Sequence, residues 1–244
     1  MDERASLPPL TISAWLRWSV VEHLLPGNAR RVLDIGAGAG SIGSLLSDLY
    51  EYVGIEPDPV SFEIAERRIG DRGRLHKCRF EDFPPARDFD LVCAFEVLEH
   101  LEDDEAALRR WIQHIRPGGW LLLSVPKGRR RYAAVNARAG DLRRYDPGDL
   151  NLLMTRAGLR QIVMRSYGSP YGNLQESIQN LILRARPPRG TVAERTAASG
   201  RFLLPPTWAT AAVRALAVPL QHAQRPFSNQ GIGTGIVARG RREG

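Results

Sequence analysis

Apolar residues follow two alternating patterns along the first two thirds of the chain. Short runs that are apolar almost throughout predict buried strands, whereas apolar positions at three- and four-residue steps predict helices. The predicted strands are Arg31–Ile35, Tyr52–Ile55, Leu75–Phe80, Asp90–Phe95, Trp120–Val125 and Gln161–Arg165. The predicted helices are Leu10–Leu25, Ser41–Leu49, Val60–Ile69, Asp104–Ile115 and Asp146–Ala157, the last with Asp146 as its N-cap. This alternation predicts an α/β fold, a parallel sheet covered by helices on both faces.

The C-terminal third has a different pattern. Gly231–Arg239 predicts one last strand, and the long stretch before it contains a helical pattern at Leu174–Leu183 and an apolar helix at Thr207–Val218. We therefore expect four parts along the chain. They are an N-terminal cap helix in 1–27, a core in 28–168, a helical insertion in 169–230, and a terminal strand with a basic tail in 231–244.

The insertion is the least defined part. Phe202–Leu220 carries a single charge, Arg214, and its prolines argue against a transmembrane span. Three roles stay open for it: a lid over the acceptor, a dimer interface, or an anchor on a membrane surface. We hypothesise the lid, with Thr207–Val218 covering a largely apolar acceptor.

Composition narrows the class of protein. The chain has 244 residues, 43% hydrophobic and 25% charged, which fits one globular domain with an elaboration rather than a disordered or multi-span membrane protein. Two cysteines, Cys78 and Cys93, are too few for a disulfide framework or a Cys-rich zinc module. The first residues lack the pattern of a secretory signal, so we expect a cytoplasmic location.

The net charge of +7 is unevenly distributed. From Arg184 onward the chain has ten arginines and two acidic residues, a net of +8, so that the preceding residues sum to −1. The basic residues are scattered, without the interleaved aromatics that single-stranded nucleic acids stack on. We therefore expect no nucleic-acid partner.

A glycine-rich loop after the first strand is the strongest chemical signal. The run Val32–Gly40 ends a buried strand in glycines, which tolerate positive φ and let a ligand approach the backbone. A helix N-terminus with free N–H groups follows at Ser41. At the end of the next strand, Glu56 can accept both hydroxyls of a ribose. Together these features predict a cofactor that contains a nucleoside.

Two cofactors are compatible with the glycines. The spacing Gly38-x-Gly40-x-x-Gly43 matches a dinucleotide site, which places a pyrophosphate on the helix N-terminus. In the other register, Gly36 and Gly38 form the turn, and Asp34 holds the N–H groups of the turn and orders water near a cationic ligand. A sulfonium cofactor has no phosphate and gains from nearby acids. The glycine motif alone leaves both open.

Five short motifs follow one another along the chain. They are Asp34-Ile-Gly-Ala-Gly38, Gly54-Ile-Glu-Pro-Asp58, Phe89-Asp-Leu-Val92, Phe95-Glu-Val-Leu-Glu-His100 and Arg116-Pro-Gly-Gly119. In this order they resemble the motifs of class I S-adenosylmethionine-dependent methyltransferases, especially the small-molecule branch with quinone, polyketide and sugar methyltransferases. The resemblance covers residues 28–168 and implies a doubly wound, Rossmann-like sheet of six parallel strands and one antiparallel strand, with Gly231–Arg239 antiparallel. It also implies S-adenosylmethionine as the cofactor.

The resemblance implies a role for each of a set of cofactor-binding residues. Those around the methionine part are Asp34, Gly36 and Gly38, those at the ribose and adenine are Glu56, Pro57, Asp58, Phe80 and Glu81, and those beside the methyl group are Ala94 and Phe95. Relatives often have an acid where this chain has Arg79, so Glu81 or Asp82 would bind the adenine amino group.

Candidate catalytic residues come from two loops. A hydroxyl acceptor would need a base, and Glu96, His100 and Asp141 are the candidates, with Tyr145 as a hydroxyl on the acceptor side. Asp141 stands where relatives often have histidine. An anionic group of the acceptor would meet Arg143 or Arg144. The acids 103–105 suit a helix start, so we predict no metal site.

The sequence thus predicts direct, in-line methyl transfer from S-adenosylmethionine to an oxygen or nitrogen of a small or lipid-like acceptor. Most of the acceleration would come from alignment of the reacting atoms. An RNA methyltransferase, a non-catalytic subunit that binds the cofactor, and a dinucleotide oxidoreductase remain as alternatives. Peripheral membrane contact and a homodimer also stay open.

Overall fold

A seven-stranded sheet organises the molecule. The computed structural model describes residues 10–184, 191, 195 and 207–243. The strands are β1 (Arg31–Ile35), β2 (Glu51–Ile55), β3 (Gly73–His76), β4 (Phe89–Phe95), β5 (Ile115–Pro126), β6 (Leu159–Tyr167) and β7 (Gly235–Arg242). Their order across the sheet is β3-β2-β1-β4-β5-β7-β6. Only β7 runs antiparallel to its neighbours, β5 and β6, which confirms the predicted fold.

The strand order places a ligand crevice beside β1. Residues of β1 and β4 are buried almost throughout, as expected for central parallel strands with helices on both faces. The chain leaves β1 toward β2 on one side, and later adds β4 on the other. Such a reversal opens a crevice at the carboxyl ends of the strands, where open α/β sheets bind ligands.

Helices cover the two faces of the sheet. They are α1 (Ile12–Leu24), α2 (Gly43–Leu46), α3 (Pro59–Ile69), α4 (Asp104–Gln113), α5 (Ala134–Ala139), α6 (Pro147–Arg156), α7 (Tyr171–Arg184) and α8 (Thr210–Ser228). One core contains Trp111 of α4 and Leu150 of α6, and the other contains Val21 of α1 and Ile69 of α3. Tyr52 of β2 is also buried in this second core.

Several predicted boundaries differ from the structure for local reasons. The helix predicted at Ser41–Leu49 is a single turn, Gly43–Leu46, because a run of turns occupies the rest of that short connection. The strand predicted at Leu75–Phe80 lies earlier, because Phe80–Asp82 form a 3₁₀ turn. Asp146 precedes α6 but its side chain does not cap it; the carboxylate instead accepts from the backbone N–H of Arg129, at 3.3 Å.

The helix predicted at Thr207–Val218 is longer and lies elsewhere than expected. After a 3₁₀ turn at Thr207–Ala209, α8 continues through Pro219 and Pro226. It packs on α1, where the Gln224 side-chain amide donates to the carbonyl of Leu16 at 2.7 Å and to Ser19 Oγ at 2.6 Å. In the described part of the chain, no helix has the combined length and apolarity needed to cross a membrane.

The insertion reaches the core through the polar side of α7. Glu176 pairs there with Arg144, whose side chain is 2% exposed, and accepts from Arg131 at 3.0 Å. Arg144 also donates to the carbonyls of Lys127, at 2.8 Å, and Thr234, at 3.0 Å. The large apolar side chains of α7 point outward and are each more than half exposed: Leu174, Ile178, Leu181 and Ile182. Polar contacts therefore account for much of how α7 is held.

The Glu176–Arg144 pair gives a stability prediction with an internal control. Changing Glu176→Gln leaves a buried guanidinium without its carboxylate and should lower the free energy of unfolding by about 3–5 kcal/mol. The exposed pair Arg129–Asp149 provides the control, since Asp149→Asn should cost less than about 1 kcal/mol. Urea unfolding followed by circular dichroism measures both. Equal costs for the two variants would contradict the anchoring role of Glu176.

Candidate functional site

A large cavity lies at the carboxyl ends of β1, β2, β4 and β5. Its volume is about 1380 Å³, and it is lined in addition by the start of α1 and by α7. Pockets for one small ligand are usually roughly 300–1,000 Å³. The cavity therefore has room for a cofactor and a second molecule together.

The glycine turn after β1 forms the floor of the cavity. Gly36, Gly38 and Gly40 have φ of 72°, 54° and 72°, a backbone region that favours glycine. A Cβ on Gly36 would lie 2.6 Å from Val97 Cγ2. The N–H groups of Gly36 and Ala37 both donate to the carbonyl of Ile55, at 2.9 and 3.0 Å. The turn is thus held by the neighbouring strand, and the expectation that Asp34 holds it is wrong.

Glu56 completes this connection between β1 and β2. One carboxylate oxygen accepts from the N–H of Gly38 at 2.7 Å and the other from the N–H of Asp58 at 2.8 Å. The residue is 7% exposed and lines the cavity. Carboxylate oxygens accept more than one hydrogen bond each, so this group has the chemistry to bind ribose hydroxyls as well.

Asp34 lies deeper, at the end of β1. It lines the cavity, is 2% exposed and accepts a hydrogen bond from the Tyr52 hydroxyl at 2.8 Å. Burial raises the pKa of Asp34 to about 7, with the hydrogen bond from Tyr52 acting in the opposite direction. The carboxyl is therefore poised between its two protonation states near neutral pH.

The predicted adenine-binding residues line one end of the cavity. Pro57, Asp58, Phe80 and Glu81 all do so. The Asp58 carboxylate also caps α3 by accepting from the N–H of Ser61 at 2.8 Å. Of the two acids considered for the adenine amino group, Glu81 belongs to the described lining and Asp82 does not.

The end of β4 brings Phe95 and Glu96 to the cavity, while Ala94 lies beneath them and is 1% exposed. Glu96 has φ of 57°, a strained conformation for a residue with a side chain. One of its carboxylate oxygens accepts from Ser124 Oγ at 2.7 Å and from the Tyr167 hydroxyl at 2.8 Å. Two donors thus fix the side chain of this candidate base.

His100 and Asp141 lie close together in the wall of the cavity. The Nδ1 atom of His100 lies 3.1 Å from the carbonyl of Gly140 and 3.7 Å from the Asp141 carboxylate. The carbonyl requires a proton on Nδ1, which assigns Nε2 as the acceptor nitrogen of the neutral ring. Burial raises the pKa of Asp141 to about 6, against the hydrogen bond from Asn136 at 2.6 Å.

Sequence reasoning missed Glu99, which completes this acid–base cluster. Glu99 is 1% exposed, lines the cavity, and has one carboxylate oxygen without a hydrogen bond among the described residues. Burial, and then the charges of Glu96 and Asp141, raise its pKa well above the usual range. Atoms of Glu99, His100 and Asp141 come within 4.8 Å of one another. Glu99 stands inside a quoted motif, but only the fold shows that it is buried. The prediction of no metal stays a prediction.

Arg17 is the second residue that sequence reasoning missed. It projects from α1 into the cavity, with Nη1 3.6 Å from the Glu96 carboxylate and a side chain that is 17% exposed. A lone arginine on a mostly apolar helix was the available signal. It supplies a cation close to the end of β1.

Three residues predicted on the acceptor side are engaged elsewhere. The Tyr145 hydroxyl donates to Asp104 at 2.9 Å, and neither Tyr145 nor Arg143 belongs to the described lining. Arg143 also pairs with Asp104, at 2.9 Å. Arg144 lines the cavity, but its guanidinium is satisfied by Glu176 and backbone carbonyls. The hypothesis that Arg143 or Arg144 meets an anionic acceptor is therefore wrong.

The wall opposite the strand ends comes from α7 and the start of α1. Gly172, Gln175, Glu176 and Gln179 of α7 line the cavity, and Ser13 Oγ donates to the Gln175 side chain at 3.2 Å. No described residue of α8 lines it. The helix predicted to cover the cavity thus lies on α1, and α7 forms this wall instead.

Comparisons with known proteins identify a family for most of the chain. A family model described as a methyltransferase domain matches residues 16–163. A ubiquinone biosynthesis O-methyltransferase of Bradyrhizobium diazoefficiens is 37% identical over 100 residues, which are 39% of each chain. A tRNA U34 carboxymethyltransferase of Shewanella sediminis is 33% identical over 120 residues, 46% of this chain and 36% of that protein. The alignments thus span less than half the length of these relatives.

Solved structures share the fold over almost the whole chain. A S-adenosylmethionine-dependent methyltransferase of Thermotoga maritima is 19% identical with a TM-score of 0.60, covering 95% of this chain and 90% of that one. Phosphoethanolamine N-methyltransferase 2 of Haemonchus contortus, solved with S-adenosylmethionine, is 13% identical with a TM-score of 0.58, covering 93% and 52%.

The cavity fits the cofactor that this family uses. The glycine turn leaves no room for a side chain at Gly36, the Glu56 carboxylate lies in the cavity wall beside it, and the buried carboxyl of Asp34 suits a cationic ligand. S-adenosylmethionine has this combination of a nucleoside and a positive charge. The chain therefore belongs to the methyltransferase domain family, and it shares its fold with S-adenosylmethionine-dependent methyltransferases of known structure.

Proposed function

We propose that the chain methylates a hydroxyl group of a small, partly polar acceptor such as a phenol or catechol. The supporting observation is the cluster of Glu96, Glu99, His100 and Asp141, which lines the cavity where the strands end. Methyl transfer to a neutral amine needs no base, whereas a hydroxyl must lose its proton as it attacks. A buried acid–base cluster therefore favours oxygen over nitrogen as the nucleophile.

Bound S-adenosylmethionine supplies an electrophilic methyl group and a neutral thioether as leaving group. The residues of the chain then have two tasks, to align the acceptor oxygen with the methyl group and to receive its proton. His100 suits the second task, because its Nδ1 proton is held by the Gly140 carbonyl and Nε2 can accept. The nearby Asp141 carboxylate stabilises the imidazolium that forms.

Arg17 suits the carboxylate of the cofactor's methionine part. Its guanidinium lines the cavity, where the Glu96 carboxylate at 3.6 Å and the Tyr167 hydroxyl are its polar neighbours, and its Nε is buried without a hydrogen bond among the described residues. A planar guanidinium binds a carboxylate through two parallel hydrogen bonds. The cap helix α1 would thereby help to close the cofactor site.

The acceptor side combines polar and apolar groups. Ser13, Gln175 and Gln179 face it from α1 and α7, while Leu101 and Leu142 offer apolar contact. A hydroxylated ring matches this mixture, and relatives named for ubiquinone biosynthesis support such an acceptor. Within the insertion, residues 169–230, we propose that α7 acts as the cover of the acceptor. Relatives named for tRNA modification support RNA as the second candidate.

The proposed acceptor class is tested by radiolabel transfer from S-adenosylmethionine to three kinds of acceptor: catechols such as 3,4-dihydroxybenzoate, primary amines, and bulk tRNA. We expect label in the catechols, and a loss of about 100-fold or more in His100→Gln, the usual scale of general-base catalysis. The exposed residue His222 gives the control variant His222→Gln. Label in amines or tRNA alone would overturn the proposal.

Glu56 gives a prediction for cofactor affinity. Glu56→Gln should weaken binding of S-adenosylhomocysteine by roughly 1–3 kcal/mol, because a charge-assisted hydrogen bond to ribose is lost. Calorimetry measures this, with the exposed Glu63→Gln on α3 as control. An analogue without ribose hydroxyls separates the ribose contact from damage to the turn. If Glu56→Gln weakens binding of that analogue as much as binding of the parent compound, the assignment of Glu56 to the ribose is wrong.

A further inference from the structure

A buried tyrosine of β2 contacts the cofactor site indirectly, through a hydrogen bond to a residue of the cavity wall. Tyr52 in β2 is 1% exposed, and its hydroxyl donates to Asp34 at 2.8 Å. The two strands are parallel neighbours, with Val32 opposite Tyr52 and Asp34 opposite Gly54. Tyr52 does not line the cavity, so its hydroxyl reaches the site only through Asp34.

Three glycines make room for this side chain. A Cβ on Gly43, Gly54 or Gly73 would lie 2.4, 2.6 or 2.6 Å from an atom of Tyr52. Of these, Gly54 lies inside β2, and glycine inside a strand weakens that element, so this arrangement has a stability cost. An apolar residue in place of Tyr52 would fill the same core position without burying a hydroxyl group. The hydroxyl and its hydrogen bond therefore need a reason beyond packing.

We infer that Tyr52 is a positioning residue for the cofactor, whose hydroxyl holds the Asp34 carboxylate in place for the cationic methionine end of S-adenosylmethionine. The inference rests on the 2.8 Å hydrogen bond, on the burial of both partners, and on the position of Asp34 in the cavity wall.

The charged and titratable groups around Asp34 come from three other elements. Tyr52 and Glu56 face it from β2 and its end, Arg17 from α1, and Cys93 from β4, where it pairs in register with Asp34. Burial raises the pKa of the Cys93 thiol well above its usual value, so the thiol stays neutral. Burial and Glu56 raise the pKa of Asp34, while the Tyr52 hydrogen bond and Arg17 lower it.

The direction of the effect follows from these groups. A hydrogen bond donated to a carboxylate favours the ionised form, so removal of the Tyr52 hydroxyl raises the pKa of Asp34 further. At neutral pH more of the carboxyl is then protonated and attracts a cation less. This loss of affinity for a cation should disappear at alkaline pH, where Asp34 ionises with or without the Tyr52 hydroxyl.

The test compares Tyr52→Phe with the unmodified chain by calorimetry at pH 6.5, 7.5 and 8.5. For S-adenosylmethionine we expect about tenfold weaker binding at pH 6.5 and 7.5, the scale of one charge-assisted hydrogen bond, and a clear recovery at pH 8.5. Ionisation of the ligand itself cancels, because both proteins are measured at each pH. The control ligand is 5′-methylthioadenosine, which keeps adenine and ribose but has no charged methionine end. Its affinity should stay within about twofold.

A second variant separates positioning from packing. Asp34→Asn should itself weaken the binding of S-adenosylmethionine. Tyr52→Phe added to that variant should have little further effect on affinity, because the two residues act through one contact. Equal weakening of both ligands at every pH would show that Tyr52 only packs. Unchanged affinity in Tyr52→Phe, or a full additional loss in the Asp34→Asn background, would also overturn the inference.

Discussion

The hydrogen bonds between the end of β2 and the glycine turn after β1 are the constraint on which the site depends. The Ile55 carbonyl accepts two N–H groups of the turn, and the Glu56 carboxylate accepts a third, from Gly38. The turn is therefore tied to the neighbouring strand before any ligand arrives. This preorganisation places Asp34, the glycines and Glu56 in one geometry, so little ordering remains to be done on binding.

The sequence predicted the central part of the fold well, because strands buried on both faces leave a strong apolar pattern. β1 matches its predicted bounds and β4 starts one residue early. Asp34, Glu56 and the glycines were recognisable because strand ends fix them. The path of α8 through two prolines and the direction of the Tyr145 hydroxyl were not, since both depend on contacts with residues distant in sequence. The same holds for Arg17 and Glu99, whose burial only the packed chain defines.

The acid–base cluster shows a conflict between stability and chemistry. Four titratable side chains, Glu96, Glu99, His100 and Asp141, share one wall of the cavity. Burial makes the charged forms of two of them, Glu99 and Asp141, costly. The raised pKa values of Glu99 and Asp141 are the result, because protonation relieves both desolvation and repulsion. Such a group of residues stabilises the fold poorly.

The orientation of α7, with its polar side toward the core and apolar side chains facing outward, has a consequence for access to the cavity. Removing Glu176 alone leaves the buried Arg144 guanidinium without its carboxylate partner. Movement of the whole helix away from the core would instead let water hydrate Glu176 and Arg144 together. Since Leu174, Ile178, Leu181 and Ile182 already face outward, such a movement would expose little new surface from these side chains. Local opening of α7 should therefore cost much less than global unfolding. Under the proposed function, such opening would let the acceptor side exchange its contents while the glycine turn stays tied to β2.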